Sequence, residues 1–178
     1  MIIIGFSAKA EHGKTFLANI LENELSKKGY TAIIQPLAKK MKEQAKLCGW
    51  DGYKDERGRR LLQEFSKPIK HYHGSHIYAK WAIDEVKEKF GDGDNVVMLI
   101  DDVRMHDEMN YIKDSPYESY FIRLNRPGYE SSLTAEQRMD ETETQLDNYK
   151  DFDLYLDNDG TMEGARKNAR MIIEKVGL

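Results

Sequence analysis

The chain has 178 residues, 40% of them hydrophobic and 33% charged, a balance that suits one soluble globular domain with a sizeable core. A net charge of −4 and a pI of about 5.8 exclude a global basic surface for nucleic acid, so any anion site must be local. The single cysteine, Cys48, excludes an intramolecular disulfide framework and fits a reducing compartment.

The opening "MIIIGF" lacks the length and basic flank of a signal peptide, and no run approaches the ~18 apolar residues of a membrane span. A cytoplasmic protein without a membrane partner is therefore expected. Residues 2–6 are apolar and β-branched, which predicts a strand covered on both faces. Over 14–28, Phe16, Leu17, Ile20, Leu21 and Leu25 recur at helical spacing, and Gly29 stops the helix. A second strand follows at 31–36, then a helix at 37–49 and a polar loop at 50–58. Helical patterns cover 59–72 and 75–90, a buried strand 95–101, a short helix 106–114 and a fourth strand 119–124. Residues 125–150 are polar and read as a mobile lid; a fifth strand at 153–157 and an amphipathic helix at 161–177 close the chain. No repeat or linker interrupts it, so 1–178 is read as one domain. Alternating strands and helices predict an α/β fold: a five-stranded, mainly parallel sheet in three layers with helices on both faces.

Such sheets bind ligands at the carboxyl ends of their strands. After the first strand stands "AKAEHGKT" (8–15), the phosphate-loop pattern G-x-x-x-x-G-K-[ST] with Ala8 in place of the first glycine. Main-chain amides from Ala10 through Glu11, His12, Gly13, Lys14 and Thr15 can converge on an anion at the helix N-terminus. Lys14 would reach the β- and γ-phosphates, and the Thr15 hydroxyl would bind Mg²⁺. His12 and Lys9 read as rim residues. After the third strand come Asp101 and Asp102, either of which can hold Mg²⁺ through water, then Arg104, whose fork suits a second phosphate, and Glu108 to orient it. Three arginines in "RGRRLLQ" (57–63) open a helix, where cations are unfavourable unless an anionic ligand offsets them. After the fourth strand, Arg126 or Arg138 can swing over a transferring phosphoryl group, and "DNDGT" (157–161) after the fifth would border a nucleotide base. His71, His73 and His76 do not share a helix face and lack metal-site spacing.

Taken together, the N-terminal strand with "GKT", "LAKKMK" (37–42), "RRLLQ" (59–63), Trp81, "DVR" (102–104) with "HDEM", "RLNRPG" (123–128) and "NDGT" (158–161) give the chain its likeness to a known group. It resembles the phage-type deoxynucleoside monophosphate kinases, a branch of the P-loop nucleoside monophosphate kinase superfamily. That resemblance implies a P-loop for ATP, an acceptor region at about 37–90, and a short lid at about 125–150. Carried across by match, the donor site is Gly13, Lys14 and Thr15 with Arg126 and Asp159 nearby. The acceptor site is Lys42, Arg60, Gln63 and Arg104, flanked by Asp102 and Glu108. Lys14, Arg104 and Arg126 are then the catalytic cations, and Thr15 with Asp102 holds the metal. Many relatives have glycine at the position of Ala8.

The expected reaction is transfer of the γ-phosphoryl group of ATP, with Mg²⁺, to a (deoxy)nucleoside monophosphate. The acceptor oxygen is already an anion, so alignment and charge cancellation suffice without a general base. The alternatives are a P-loop kinase of another small phosphorylated metabolite or coenzyme precursor, and a non-catalytic ATP-binding regulatory module. A nucleic-acid end kinase is disfavoured by the acidic balance. A homodimer is left open, the accepted base is undetermined, and the compartment would be the host cytoplasm if the chain is phage-encoded.

Overall fold

The computed structural model describes residues 1–178. Its centre is one all-parallel sheet of β1 (Ile2–Ser7), β2 (Thr31–Ile34), β3 (Val96–Ile100), β4 (Glu118–Asn125) and β5 (Leu154–Asp157), in the order β2-β3-β1-β4-β5. Helices α1 (Lys14–Lys27) and α8 (Met162–Val176) pack on one face. The other face carries α2 (Lys39–Leu47), α3 (Glu56–His73), α4 (Ile77–Phe90) and α5 (His106–Lys113). Covering both faces explains why β3 reads as an unbroken apolar run rather than an alternating one. Val96, Met98 and Ile100 join the α2–α5 core, while Val97 and Leu99 join the α1–α8 core.

Gly5 serves close packing on the α2–α5 side. A Cβ there would lie 2.8 Å from the Phe121 ring and 3.0 Å from Val103, so only a bare backbone lets that ring cross β1.

Two segments differ from the sequence expectation. Helix α3 begins at Glu56, inside the expected loop, because Asp55 caps it: its Oδ1 accepts the Gly58 N–H at 2.7 Å. A Cβ on Gly58 would sit 1.9 Å from the Tyr53 carbonyl oxygen, so glycine lets the 50–55 loop fold back on the helix. The lid contains two single-turn helices, α6 (Ala135–Arg138) capped by Thr134 and α7 (Glu141–Thr144) capped by Asp140. No helix is long and apolar enough to cross a membrane.

The strand order places β2 and β3 on one side of β1, and β4 and β5 on the other. At this switch point the loops leaving β1 and β3 diverge and open a crevice at the carboxyl edge.

Candidate active site

The loop joining β1 to α1 is held by its own backbone. Gly13 has φ 93° and Glu11 φ 64°, the latter alone among non-glycine residues in being positive. Ala8, where the pattern has glycine, is not in that region, and its methyl group is buried in the α1–α8 core. Nothing at Ala8 therefore requires glycine. Gly13 does require its lack of a side chain. A Cβ there would lie 2.4 Å from the Asn158 Nδ2, which donates to the His12 carbonyl at 2.9 Å.

Lys14 is buried at the head of α1, and its Nζ donates to the carbonyls of Ala8 (2.7 Å) and Lys9 (3.0 Å). Burial, and then the Arg104 charge, push its ammonium down to about 8. The neighbouring Thr15 hydroxyl donates to the Asp101 carboxylate.

That bond separates the two aspartates. Asp102 accepts the Leu37 N–H at 2.7 Å and the Ala38 N–H at 3.2 Å, pinning the turn before α2. Burial, and then Asp101, raise its pKa. Asp101 and Asp102 both line the cavity, but Asp102, the expected metal ligand, is engaged with the turn before α2, and Asp101 is the carboxylate beside Thr15. Hydroxyl and carboxylate oxygens are hard donors suited to Mg²⁺, whose remaining positions phosphate oxygens and water can fill.

Arg104 sits in the turn from β3 to α5. Glu108 fixes that turn, its Oε2 accepting the N–H groups of Arg104 (3.0 Å) and Met105 (3.1 Å). Burial pushes the Glu108 carboxyl up to about 7. The Arg104 guanidinium donates to the Thr142 carbonyl at 3.2 Å and to the Glu143 carboxylate.

These groups surround a cavity of about 570 Å³, lined from the loop by Ala10, Glu11, Gly13, Lys14 and Thr15. Its far wall is one face of α3: Arg59, Gln63, Ser66 and Lys70, at steps of four, three and four, beside buried Leu62. The same register turns Arg60 away. Arg60 is exposed and lies in a separate groove with Cys48 and Glu64, so the expectation that it clamps the acceptor is corrected in favour of Arg59. Lys42 and Lys54 complete a cationic cluster with Arg59 and Arg104. Lys42 foremost, then burial and the two arginines, push the Lys54 ammonium down. Gln63 lines the cavity but donates to Asp140 of the lid at 2.9 Å.

The remaining expected residues lie elsewhere. His12 does not face the cavity; its Nδ1 accepts the Arg126 N–H at 3.1 Å, and burial, mainly, lowers its pKa. Arg126 is not brought to Lys14 and Arg104, which corrects its expected catalytic place. Its guanidinium lies 4.0 Å over the Tyr129 ring, in a second cleft shared with Asp157, Asn158 and Asp159. Asp159 accepts the Thr161 N–H and hydroxyl, both at 2.8 Å. Arg138 donates to the carbonyls of Leu133 and Ser131. His76 stacks on Tyr111 with centroids 4.9 Å apart, and His73 meets the Trp81 edge at 6.0 Å.

What the lid does send into the cavity is a carboxylate. The Glu143 side chain is buried, accepts the Ala10 N–H at 2.9 Å through Oε2, and meets Arg104 through Oε1. Glu11 in turn accepts the Ser132 N–H at 2.8 Å and the Tyr129 hydroxyl at 3.2 Å. Sequence reasoning missed Glu143, Lys54 and Lys70, weighed Arg59 without choosing it, and read Tyr78 with Trp81 and Ile77 as core or base-pocket wall; Tyr78 is buried and lines the cavity. The α3 register counted from Leu62 would have selected Arg59 and Lys70. No local pattern marks Glu143 among the acidic residues of 140–143.

The chain matches no protein-family model and no curated protein. Solved structures do match along nearly its whole length. APS kinase from Mycobacterium tuberculosis, in complex with AMPPNP and APS, is 14% identical with a TM-score of 0.51, covering 99% of this chain and 97% of that one. Shikimate kinase from Aquifex aeolicus is 13% identical with a TM-score of 0.53, covering 99% and 98%. Shikimate kinase from Bacteroides thetaiotaomicron is 14% identical with a TM-score of 0.51, covering 99% of both chains. Identity this low shows the fold alone: this protein shares its three-layer α/β architecture with these kinases.

Proposed function

We propose that the protein transfers the γ-phosphoryl group of ATP to the phosphate of a (deoxy)nucleoside monophosphate. The observation that carries this reading is a second cationic cluster, Lys42, Lys54, Arg59 and Arg104, in the same cavity as Lys14 and the phosphate loop. A site that only bound or hydrolysed ATP has no need of four further cations on the facing wall.

In this reading Lys14 leaves the Ala8 and Lys9 carbonyls for the β- and γ-phosphates. Thr15 and Asp101 would hold Mg²⁺, which when bound neutralises phosphate charge. Arg104, with Lys54 and Arg59, grips the acceptor phosphate in line with the donor. An acceptor oxygen attacks the γ-phosphorus, the bond to the β–γ bridging oxygen breaks, and ADP leaves with that electron pair. The acceptor is already ionised, so no base is required. Leu133, Gln137 and Thr142 from the lid cover the cavity and exclude water, which would otherwise compete as acceptor. The second cleft, with Arg126 and Asp159 beside the loop, is suited to the donor base. A homodimer is compatible with this reading and is not needed by it.

A second reading, phosphorylation of another small metabolite, is favoured by the fold likeness to kinases named for APS and shikimate. A coupled ADP-release assay separates the two. Turnover with nucleoside monophosphates, and an Arg104→Ala variant that weakens monophosphate binding far more than ATP binding, supports the first. Turnover only with hydroxyl-bearing metabolites, or equal losses for both ligands in calorimetry, defeats it.

A further inference from the structure

Glu143 engages two groups that the proposed reaction also needs. Its Oε2 accepts the Ala10 N–H, one of the loop amides, and its Oε1 meets the Arg104 guanidinium. Ala10 stands at the end of the cavity proposed for the donor and Arg104 at the end proposed for the acceptor, so one carboxylate spans both. The side chain is 8% exposed, and its charge favours the ammonium form of Lys14. An anion that meets a loop amide, an arginine fork and the Lys14 charge is surrounded as a phosphate group would be.

Both walls of the cavity fasten the lid around this group. The Lys9 Nζ donates to the Glu143 carbonyl at 2.6 Å and pairs with Asp147, while Arg104 donates to the Thr142 carbonyl at 3.2 Å. From α3, Gln63 donates to Asp140, the cap of α7. Glu141, on the same turn, is exposed and accepts from Gln145 at 2.7 Å.

We propose that Glu143 is a built-in stand-in for phosphate that couples the two substrates: ATP and the acceptor each displace it, and so each strengthens the binding of the other. The donor half of this rests on the loop alone; the acceptor half rests on the monophosphate reading. The Ala10 N–H is a single donor, so it serves the carboxylate or a phosphate but not both. Once a triphosphate takes it, Glu143 keeps only Arg104 and faces like charge at close range. A monophosphate at Arg104 then meets a carboxylate already loosened. The reverse order gives the same gain, because coupling between two binding equilibria is reciprocal. A ligand whose donors are engaged binds more weakly, by the fraction of molecules in which those donors are free. Sites that fill together also shorten the time in which ATP stands beside water instead of an acceptor.

The test is calorimetric titration with AMPPNP and Mg²⁺, alone and with an excess of each of dGMP, dTMP, dAMP and dCMP. It compares the wild type with Glu143→Gln, Glu143→Ala and Glu141→Gln, each shown to be folded by its thermal melt. Glu143→Gln keeps the size of the side chain and loses its charge. It should bind AMPPNP alone about tenfold tighter than the wild type, and so should Glu143→Ala. Glu141→Gln makes the same charge change on the same turn and should stay within about twofold. In the wild type, a monophosphate that binds should tighten AMPPNP about tenfold, and AMPPNP should tighten that monophosphate by the same factor. In both Glu143 variants that factor should fall to near one. AMPPNP affinity unchanged or weakened in both Glu143 variants would overturn the proposal, as would a wild-type factor of one or less with a monophosphate that does bind. Equal tightening in Glu141→Gln would overturn it too, because general charge alone would then be at work. If none of the four binds, the monophosphate reading falls and the coupling with it, and the AMPPNP titrations still decide whether Glu143 stands in for a donor phosphate.

Discussion

The two ends of the cavity are made of different material. The end proposed for the donor is one stretch of chain, 8–15, which offers main-chain amides with the Lys14 and Thr15 side chains added. The end proposed for the acceptor is assembled from α2, the loop before α3, α3 itself, the β3–α5 turn and the lid, and offers side chains. A backbone-made site tolerates a change such as Ala8, because the loop needs a path more than particular side chains. Glu11 and His12 can thus be given over to holding the lid and β4. A site made of side chains depends on helical register, where one residue's shift moves a group by about 100°. Arg59 and Arg60 differ by that step.

The comparison breaks most readily at Lys14. Lys14→Met should lower turnover about a hundred- to a thousandfold, and the empty protein should melt higher at pH 7 because a buried ammonium is gone. Near-normal turnover in that variant would remove the loop from the chemistry. A smaller effect sharpens the other end. Arg59→Ala should raise the KM for the monophosphate about tenfold or more, whereas Arg60→Ala should change it less than about twofold. The reverse ranking would mean that the α3 register does not decide which arginine binds.

The last test reads stability and leaves turnover aside: it concerns Glu108, whose pKa is raised from 4.5 to about 7 by burial. Between those two values the folded protein keeps a proton that the unfolded chain releases. The stability linked to that proton is therefore full below pH 4.5, declines as pH rises to 7, and stays lost above it. Glu108→Gln removes this slope. Denaturant melts at pH 4.5 and 7.5 should show the variant gaining on the wild type by about 3 kcal/mol at the higher pH. Parallel behaviour of the two proteins would show that the carboxyl ionises normally.

The strands were legible because burial on both faces writes an unbroken apolar run, as in 96–100, and the helices because of their periodicity and glycine stops. The start of α3 was not, since the Asp55 cap and Gly58 act through space on a loop that reads as polar. At the site, the contiguous loop was legible down to Thr15. The division of labour between Asp101 and Asp102 was not: it is decided by the amides of Leu37 and Ala38, about 65 positions away in the chain. Glu143 is the extreme case, an ordinary acid in sequence whose role is set wholly by the lid's fold.

The bridge that Glu143 makes from the Ala10 amide to Arg104 has a kinetic meaning. The pocket already contains a negative group in contact with both of its ends, so in the proposed reaction a nucleotide would arrive by exchange rather than by filling a void. A single weak oxyanion would gain little by ousting a tethered competitor that returns at high effective concentration. A polyphosphate, which grasps many amides at once, gains much more from the swap.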